Sequence, residues 1–186
     1  MIVWDTEATG GLKPSTVPMD QQPEMMEFGA VKLDDETLEE KDHIHFLIKP
    51  KILWPIPAQV TEWNNITTEM LQDAPSFAGV LRAITTFVLG ERRWLAHNIS
   101  YDLGVMYWEL ARVNMLMRFP WPPEPICTVE LTMDLEVPRQ KSDRLKQEDL
   151  YARVIGEKPP VTHRALDDAR SLATILRWLR TKDNRI

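Results

Sequence analysis

Short apolar, β-prone runs mark the early part of this chain, and a helical spacing of apolar positions marks the later part. Met1–Trp4 is short, apolar and β-prone, and runs into Asp5-Thr6-Glu7. A polar stretch with Gly10, Gly11, Pro14, Pro18 and Pro23 carries turn chemistry. Met26–Leu33 predicts a second strand, Asp34-Asp35-Glu36 a turn, and His43–Ile48 a third strand closed by Pro50, which together make an antiparallel meander. The stretch from Lys51 to Pro75 is loop-rich, with a short helix from about Thr67, a good N-cap.

After Pro75-Ser76 the spacing of Phe77, Val80, Leu81, Ile84 and Val88 predicts a longer helix, with Gly90 as its C-terminal glycine. Trp94–Ala96 is a short apolar strand ending in His97-Asn98. Leu103, Met106, Tyr107, Leu110 and Ala111 mark a further amphipathic helix. Pro120, Pro122, Pro123 and Pro125 break the chain before Ile126-Cys127-Thr128. Leu145–Ile155 predicts a helix, Gly156–Pro160 a break and Ala165–Leu179 a final helix. Strands first, then strands interleaved with helices, predict one α/β domain on a mixed sheet over residues 1–186.

Several classes of protein are disfavoured by composition. No apolar run reaches the ~20 residues of a membrane-spanning helix, and Met1–Asp5 enters a strand instead of a signal peptide. The single cysteine, Cys127, leaves no internal disulfide and fits a reducing cytoplasm. A net charge of −6 argues against a protein that simply coats nucleic acid. A metal enzyme escapes that objection, because cations neutralise its acids and a phosphate together. Two basic clusters, Arg139, Lys141, Arg144 and Lys146, then Arg177, Arg180, Lys182 and Arg185, read as solvated surface.

The acids carry the candidate chemistry. Asp5 and Glu7 are two apart, so on a strand both carboxylates leave the same face, an arrangement a hard divalent cation would relieve. Taken alone, the pair also fits a solvated strand end. Asp102 reads either as a helix N-cap or as a further ligand at a strand's end. His97 and Asn98 read as phosphate or sugar contacts, or as structural hydrogen-bonding residues. Helical phase separates Asp167 from Asp168. Positions Leu172, Ile175, Leu176 and Leu179 put Asp168 on the buried stripe, whereas Arg170, Ser171 and Thr174 put Asp167 on a polar face. A core-facing carboxylate is costly unless paired or metal-bound, which selects Asp168. His163, after Pro159-Pro160, sits in the loop entering that helix and suits a general base.

Taken together, Asp5-Thr6-Glu7-Ala8-Thr9-Gly10, Met26-Glu27-Phe28-Gly29-Ala30-Val31, His97-Asn98 with Tyr101-Asp102, and Thr162-His163-Arg164-Ala165-Leu166-Asp167-Asp168-Ala169 resemble the DEDDh exonuclease family. That family includes the proofreading subunit of bacterial replicative polymerase, exonuclease I, ribonuclease T and oligoribonuclease. The resemblance implies a ribonuclease H-like fold, with a central mixed five-stranded sheet flanked by helices. It also implies two divalent cations, Mg²⁺ or Mn²⁺, held by Asp5, Glu7, Asp102 and Asp168, with Asp5 bridging and His163 deprotonating the attacking water. The implied product is a nucleoside 5′-monophosphate released from a 3′ end, and histidine at 163 places the chain in the histidine branch. Expected substrate contacts are Thr6, Thr9, Trp63, Asn64, His97, Asn98 and Tyr101, with Trp63 and Tyr101 flanking the terminal base. The chain departs from the family at Ala8, and at Asn64-Asn65-Ile66-Thr67 where many members carry His-Gly-Ile-Thr. The expected partner is nucleic acid with a free 3′ end, DNA favoured over RNA, with a DNA polymerase or a second copy as a protein partner. A non-catalytic binding module and an internally cutting nuclease are the alternatives from other classes.

Overall fold

A computed structural model describes residues 1–135, 145–161 and 163–183, with Asp183 described by its backbone only. Five strands form one mixed sheet: β1 (Ile2–Ala8), β2 (Met25–Leu33), β3 (Glu40–Leu47), β4 (Arg93–Ala96) and β5 (Glu124–Cys127), in the order β3-β2-β1-β4-β5. β2 is antiparallel to both β1 and β3, while β4 is parallel to β1 and β5 to β4. The helices are α1 (Ala58–Asn64), α2 (Thr68–Leu71), α3 (Phe77–Val88), α4 (Ile99–Arg112), α5 (Thr128–Leu131), α6 (Gln147–Ile155) and α7 (Ala165–Asp183).

β1 lies at the centre of the sheet with both faces covered. Its even positions, Ile2 and Trp4, join Phe28, Trp94 and the apolar sides of α3 and α4. There Trp4 meets Trp94 edge-on, with ring centroids 5.5 Å apart. Its odd position Val3 joins Val31, Leu95 and the stripe Leu172, Ile175, Leu176 and Leu179 of α7. A central strand buried on both faces is apolar throughout, so the carboxylates of Asp5 and Glu7 toward its end are out of keeping with it.

Several sequence expectations need adjusting. β1 does not stop at Trp4 but continues through the acids to Ala8, because they pair in register with β2. β3 starts earlier, at Glu40, and α1 arises from a stretch expected to be loop. In α4 the buried positions are Ile99, Asp102, Val105, Met106, Glu109 and Leu110; Tyr107, assigned to the apolar side, is exposed. Asp102 lies inside the first turn, and the N-cap is Asn98, in left-handed backbone. On α7, Ser171 is buried, although it belonged to the expected polar face. Arg177 and Arg180 donate to carbonyls of Leu38, Asp35 and Glu36 and so tie α7 to the β2–β3 turn. Arg139, Lys141, Arg144, Thr162 and Arg185 lie outside the described residues.

Candidate active site

Strand alternation decides which acids can meet. Asp5 and Glu7 share the odd, α7-facing side of β1 with Val3. Directly opposite them on β2 stand Gly29 and Glu27, so these point to the same face. Gly29 is there for space: a Cβ on it would come 2.2 Å from the Leu166 nitrogen and 2.4 Å from the Ala165 carbonyl carbon. Without a side chain at 29, the first turn of α7 rests on the sheet beside Asp5. That turn brings Asp168 to β1, where ligand oxygens of Asp5, Glu7 and Asp168 all lie within 4.8 Å of one another.

Asp102 approaches from the opposite side. Even-numbered Thr6 faces α4, and both its amide, at 2.9 Å, and its hydroxyl, at 2.8 Å, donate to Asp102 Oδ1. Four carboxylates from β1, α4 and α7 thus converge on one end of the central strand. They line a cavity of about 240 Å³ together with His97, Tyr101, His163, Lys146 and Gln147.

Burial is the main force on these acids, and their mutual repulsion adds to it. Burial, then the charges of Asp102, Glu7 and Asp168, lifts Asp5 well above the carboxylate range. Burial and Asp168 push Glu7 up to about 8. Burial pushes Asp102 to about 7 against the two Thr6 hydrogen bonds, and Asp168 to about 7 against the amides of Arg164 and His163. Carboxyls held this high resist ionising together, and a cation among them reverses that preference. A hard-oxygen donor set of this kind fits a divalent ion such as Mg²⁺.

His163 is exposed, at the bend before α7, and its φ of 58° is left-handed, unusual for a residue with a Cβ. Asp168 is braced by Gln147, whose amide donates to its carbonyl at 2.8 Å, and by the Arg164 amide at 3.1 Å.

The other expected contacts are distributed unevenly. Tyr101 lines the cavity, and its hydroxyl donates to the Gly10 carbonyl at 2.9 Å. His97 also lines it, with Nε2 2.7 Å from the Leu145 carbonyl and Nδ1 3.1 Å from Thr128 Oγ1; burial lowers its pKa. Thr9 is committed elsewhere, its hydroxyl accepting from the Glu24 amide. Asn64 is buried, accepting from the Ile66 amide and reaching the Ala8 carbonyl at 3.5 Å. Trp63 is 53% exposed on α1 and Asn98 is exposed beside α4; neither lines the cavity. A larger cavity, about 440 Å³, opens near the end of α4, but its buried acids are already spent. Glu24 accepts the amides of Lys51, Ile52 and Leu53, and Glu109 accepts from Met25 and Arg112.

Sequence reasoning gave no role to Glu27, Gly29, Arg164 or Gln147. Glu27 did leave a signal, since an acid inside an apolar strand must have partners.

A family model described as Exonuclease matches residues 2–176, and the chain belongs to that family, the DnaQ-like exonucleases that its motifs resemble. At 31% identity over 181 residues it is similar to a Mycobacterium tuberculosis protein named as a bifunctional exonuclease/endonuclease, covering 96% of this chain and 26% of that protein. Also at 31%, over 177 residues, it is similar to the PolC-type DNA polymerase III of Clostridium perfringens, covering 95% of this chain and 11% of the polymerase. The chain therefore spans only a minor part of these relatives' length. Its fold matches the nuclease domain of 3′hExo, described as a DEDDh family member bound to rAMP, with a TM-score of 0.75 at 20% identity, covering 100% of this chain and 93% of that one. Among the described residues no helix is long and apolar enough to cross a membrane.

Proposed function

We propose that residues 1–186 form a single exonuclease domain that removes nucleoside 5′-monophosphates from 3′ ends, with DNA as the favoured substrate. The observation that carries this reading is the approach of Asp5, Glu7 and Asp168 within 4.8 Å beside an exposed histidine. Asp5, Glu7, Asp102 and Asp168 would hold two divalent cations, Mg²⁺ or Mn²⁺. When bound, such ions supply positive charge for the phosphate oxygens and make water a stronger acid.

The chain's own groups do the rest. Thr6 fixes one oxygen of Asp102, so that carboxylate presents a defined edge to the cavity. His163, on its turn over the cavity, accepts the proton of the attacking water. Tyr101, pinned through its hydroxyl, offers a ring for stacking against the terminal base; Trp63, exposed on α1 outside the cavity, would take the other face of that base where the substrate extends beyond the cavity. A DNA polymerase as a protein partner accords with the PolC-type relative.

The test uses 5′-labelled single-stranded DNA, duplex DNA and RNA of one sequence, each with Mg²⁺, Mn²⁺ or EDTA. The expected result is a ladder shortening from the 3′ end on single-stranded DNA, abolished by EDTA, with a circular strand left intact. Faster loss of the RNA would move the substrate to RNA. Cleavage of the circle would establish an internal nuclease, and binding without cleavage under either metal a non-catalytic module.

A further inference from the structure

We propose that Glu27 is a positioning residue that acts through Arg164 to fix the turn carrying His163. The inference rests on the reading of His163 as the general base.

Glu27 has a fully buried side chain, on β2 opposite Glu7. An unpartnered acid there would be prohibitive, yet its carboxylate is saturated with donors. Arg164 donates through Nε to both oxygens, at 3.0 and 3.2 Å, and through Nη2 to Oε1 at 2.8 Å. The Ala165 amide, at the start of α7, donates to Oε2 at 3.0 Å. His45 Nε2, on the edge strand β3, is 2.6 Å from Oε1. Burial pushes the Glu27 carboxyl up, but the hydrogen bonds from His45, Arg164 and Ala165 outweigh it and leave its pKa below the usual glutamate value. Both carboxylate oxygens are thus engaged, and the paired bonds from Arg164 constrain orientation as well as distance.

The constrained residues are the two that follow His163. His163 holds left-handed backbone, a conformation that costs a residue with a Cβ and persists only where its surroundings enforce it. Glu27 supports that turn from β2: it holds the Ala165 backbone amide and the Arg164 side chain, the two residues that follow His163. The imidazole is exposed and has little packing to hold it, so its placement depends on the backbone. Glu27 lies outside the four-carboxylate set and is not a catalytic residue; it sets where the catalytic histidine stands.

The test is a double-mutant cycle on kcat with Mn²⁺ and single-stranded DNA, comparing wild type, Glu27→Gln, His163→Ala and the double variant. Glu27→Gln is expected to lower kcat by about 10- to 100-fold, the usual cost of losing a partner that orients a site, with KM nearly unchanged. In the His163→Ala background the same substitution is expected to change kcat by less than about twofold. Equal fractional loss in both backgrounds would overturn the proposal and reduce Glu27 to a fold-stabilising pair. If Glu27→Gln does not fold, Arg164→Lys replaces it in the same cycle, since lysine keeps the charge and loses the fork. An inactive wild type, or full activity in His163→Ala, would instead defeat the assignment of function on which the role of Glu27 rests, and the single-variant arms reveal that separately.

Discussion

Replacing Gly29 with alanine adds one methyl group where the sheet and α7 are in backbone contact. The new Cβ would lie 2.2, 2.4 and 2.6 Å from the Leu166 nitrogen, the Ala165 carbonyl carbon and the Leu166 Cα. All three are main-chain atoms, so no rotamer change can make room. Reaching ordinary van der Waals distance requires the first turn of α7 to retreat by more than ~1 Å. That retreat strains the Ala165–Glu27 hydrogen bond and moves Asp168 away from Asp5 and Glu7. Overpacking of this kind costs about 1–3 kcal/mol, and each kcal/mol is worth on the order of 2–4 °C of Tm in a chain of this size. Activity should suffer more than stability, because a displacement of ~1 Å at a reacting centre can cost ~100-fold in rate. Calorimetry and steady-state kinetics on Gly29→Ala measure both. Gly79→Ala is the control: its Cβ would meet only Pro75 Cβ at 3.4 Å and Ser76 Oγ at 3.8 Å, so Tm should hold or rise slightly, since alanine suits a helix better than glycine. Wild-type Tm and kcat in Gly29→Ala would show that α7 does not depend on the missing side chain.

Three further outcomes follow from the site. Asp168→Asn should reduce kcat by at least ~100-fold while Asp167→Asn leaves it near wild type; equal losses would refute the phase assignment on α7. In the metal-free protein Asp5, Glu7, Asp102 and Asp168 are all raised, so their contribution to stability is full below the ordinary carboxylate range and is lost as pH rises through about 7 to 8. The Tm gained on adding Mg²⁺ should therefore be larger at about pH 8 than at about pH 5, and an equal gain at both would count against a metal held by these groups. Trp63→Ala should raise KM for a short single strand by about tenfold, within the usual worth of one stacked base; an unchanged KM removes Trp63 from the substrate site.

Much of the site was legible because its signals are local. The two-residue spacing of Asp5 and Glu7 needs only the geometry of a strand, and helical phase separated Asp168 from Asp167 because Leu172, Ile175, Leu176 and Leu179 form a clean stripe. The α1 helix was hidden by the prolines around it, Pro55 and Pro57, and by a short amphipathic pattern. Asp102 illustrates a different limit. An aspartate near a helix start is indistinguishable from a cap until the chain is folded, and only then does Thr6, 96 residues away in sequence, appear as its partner. Gly29 and Glu27 were invisible as site residues for the same reason: their roles depend on α7, more than 130 residues later in the chain. Contacts at that separation leave no periodicity to read.

Carboxylates from β1, α4 and α7 are proposed to hold divalent cations at one point. Manganese-soaked crystals, with data collected at the manganese absorption edge, test this proposal most directly. Two anomalous peaks ligated by Asp5, Glu7, Asp102 and Asp168 are expected, both lost in Asp168→Ala. Manganese bound elsewhere, or at none of these four carboxylates in well-diffracting wild-type crystals, would contradict it.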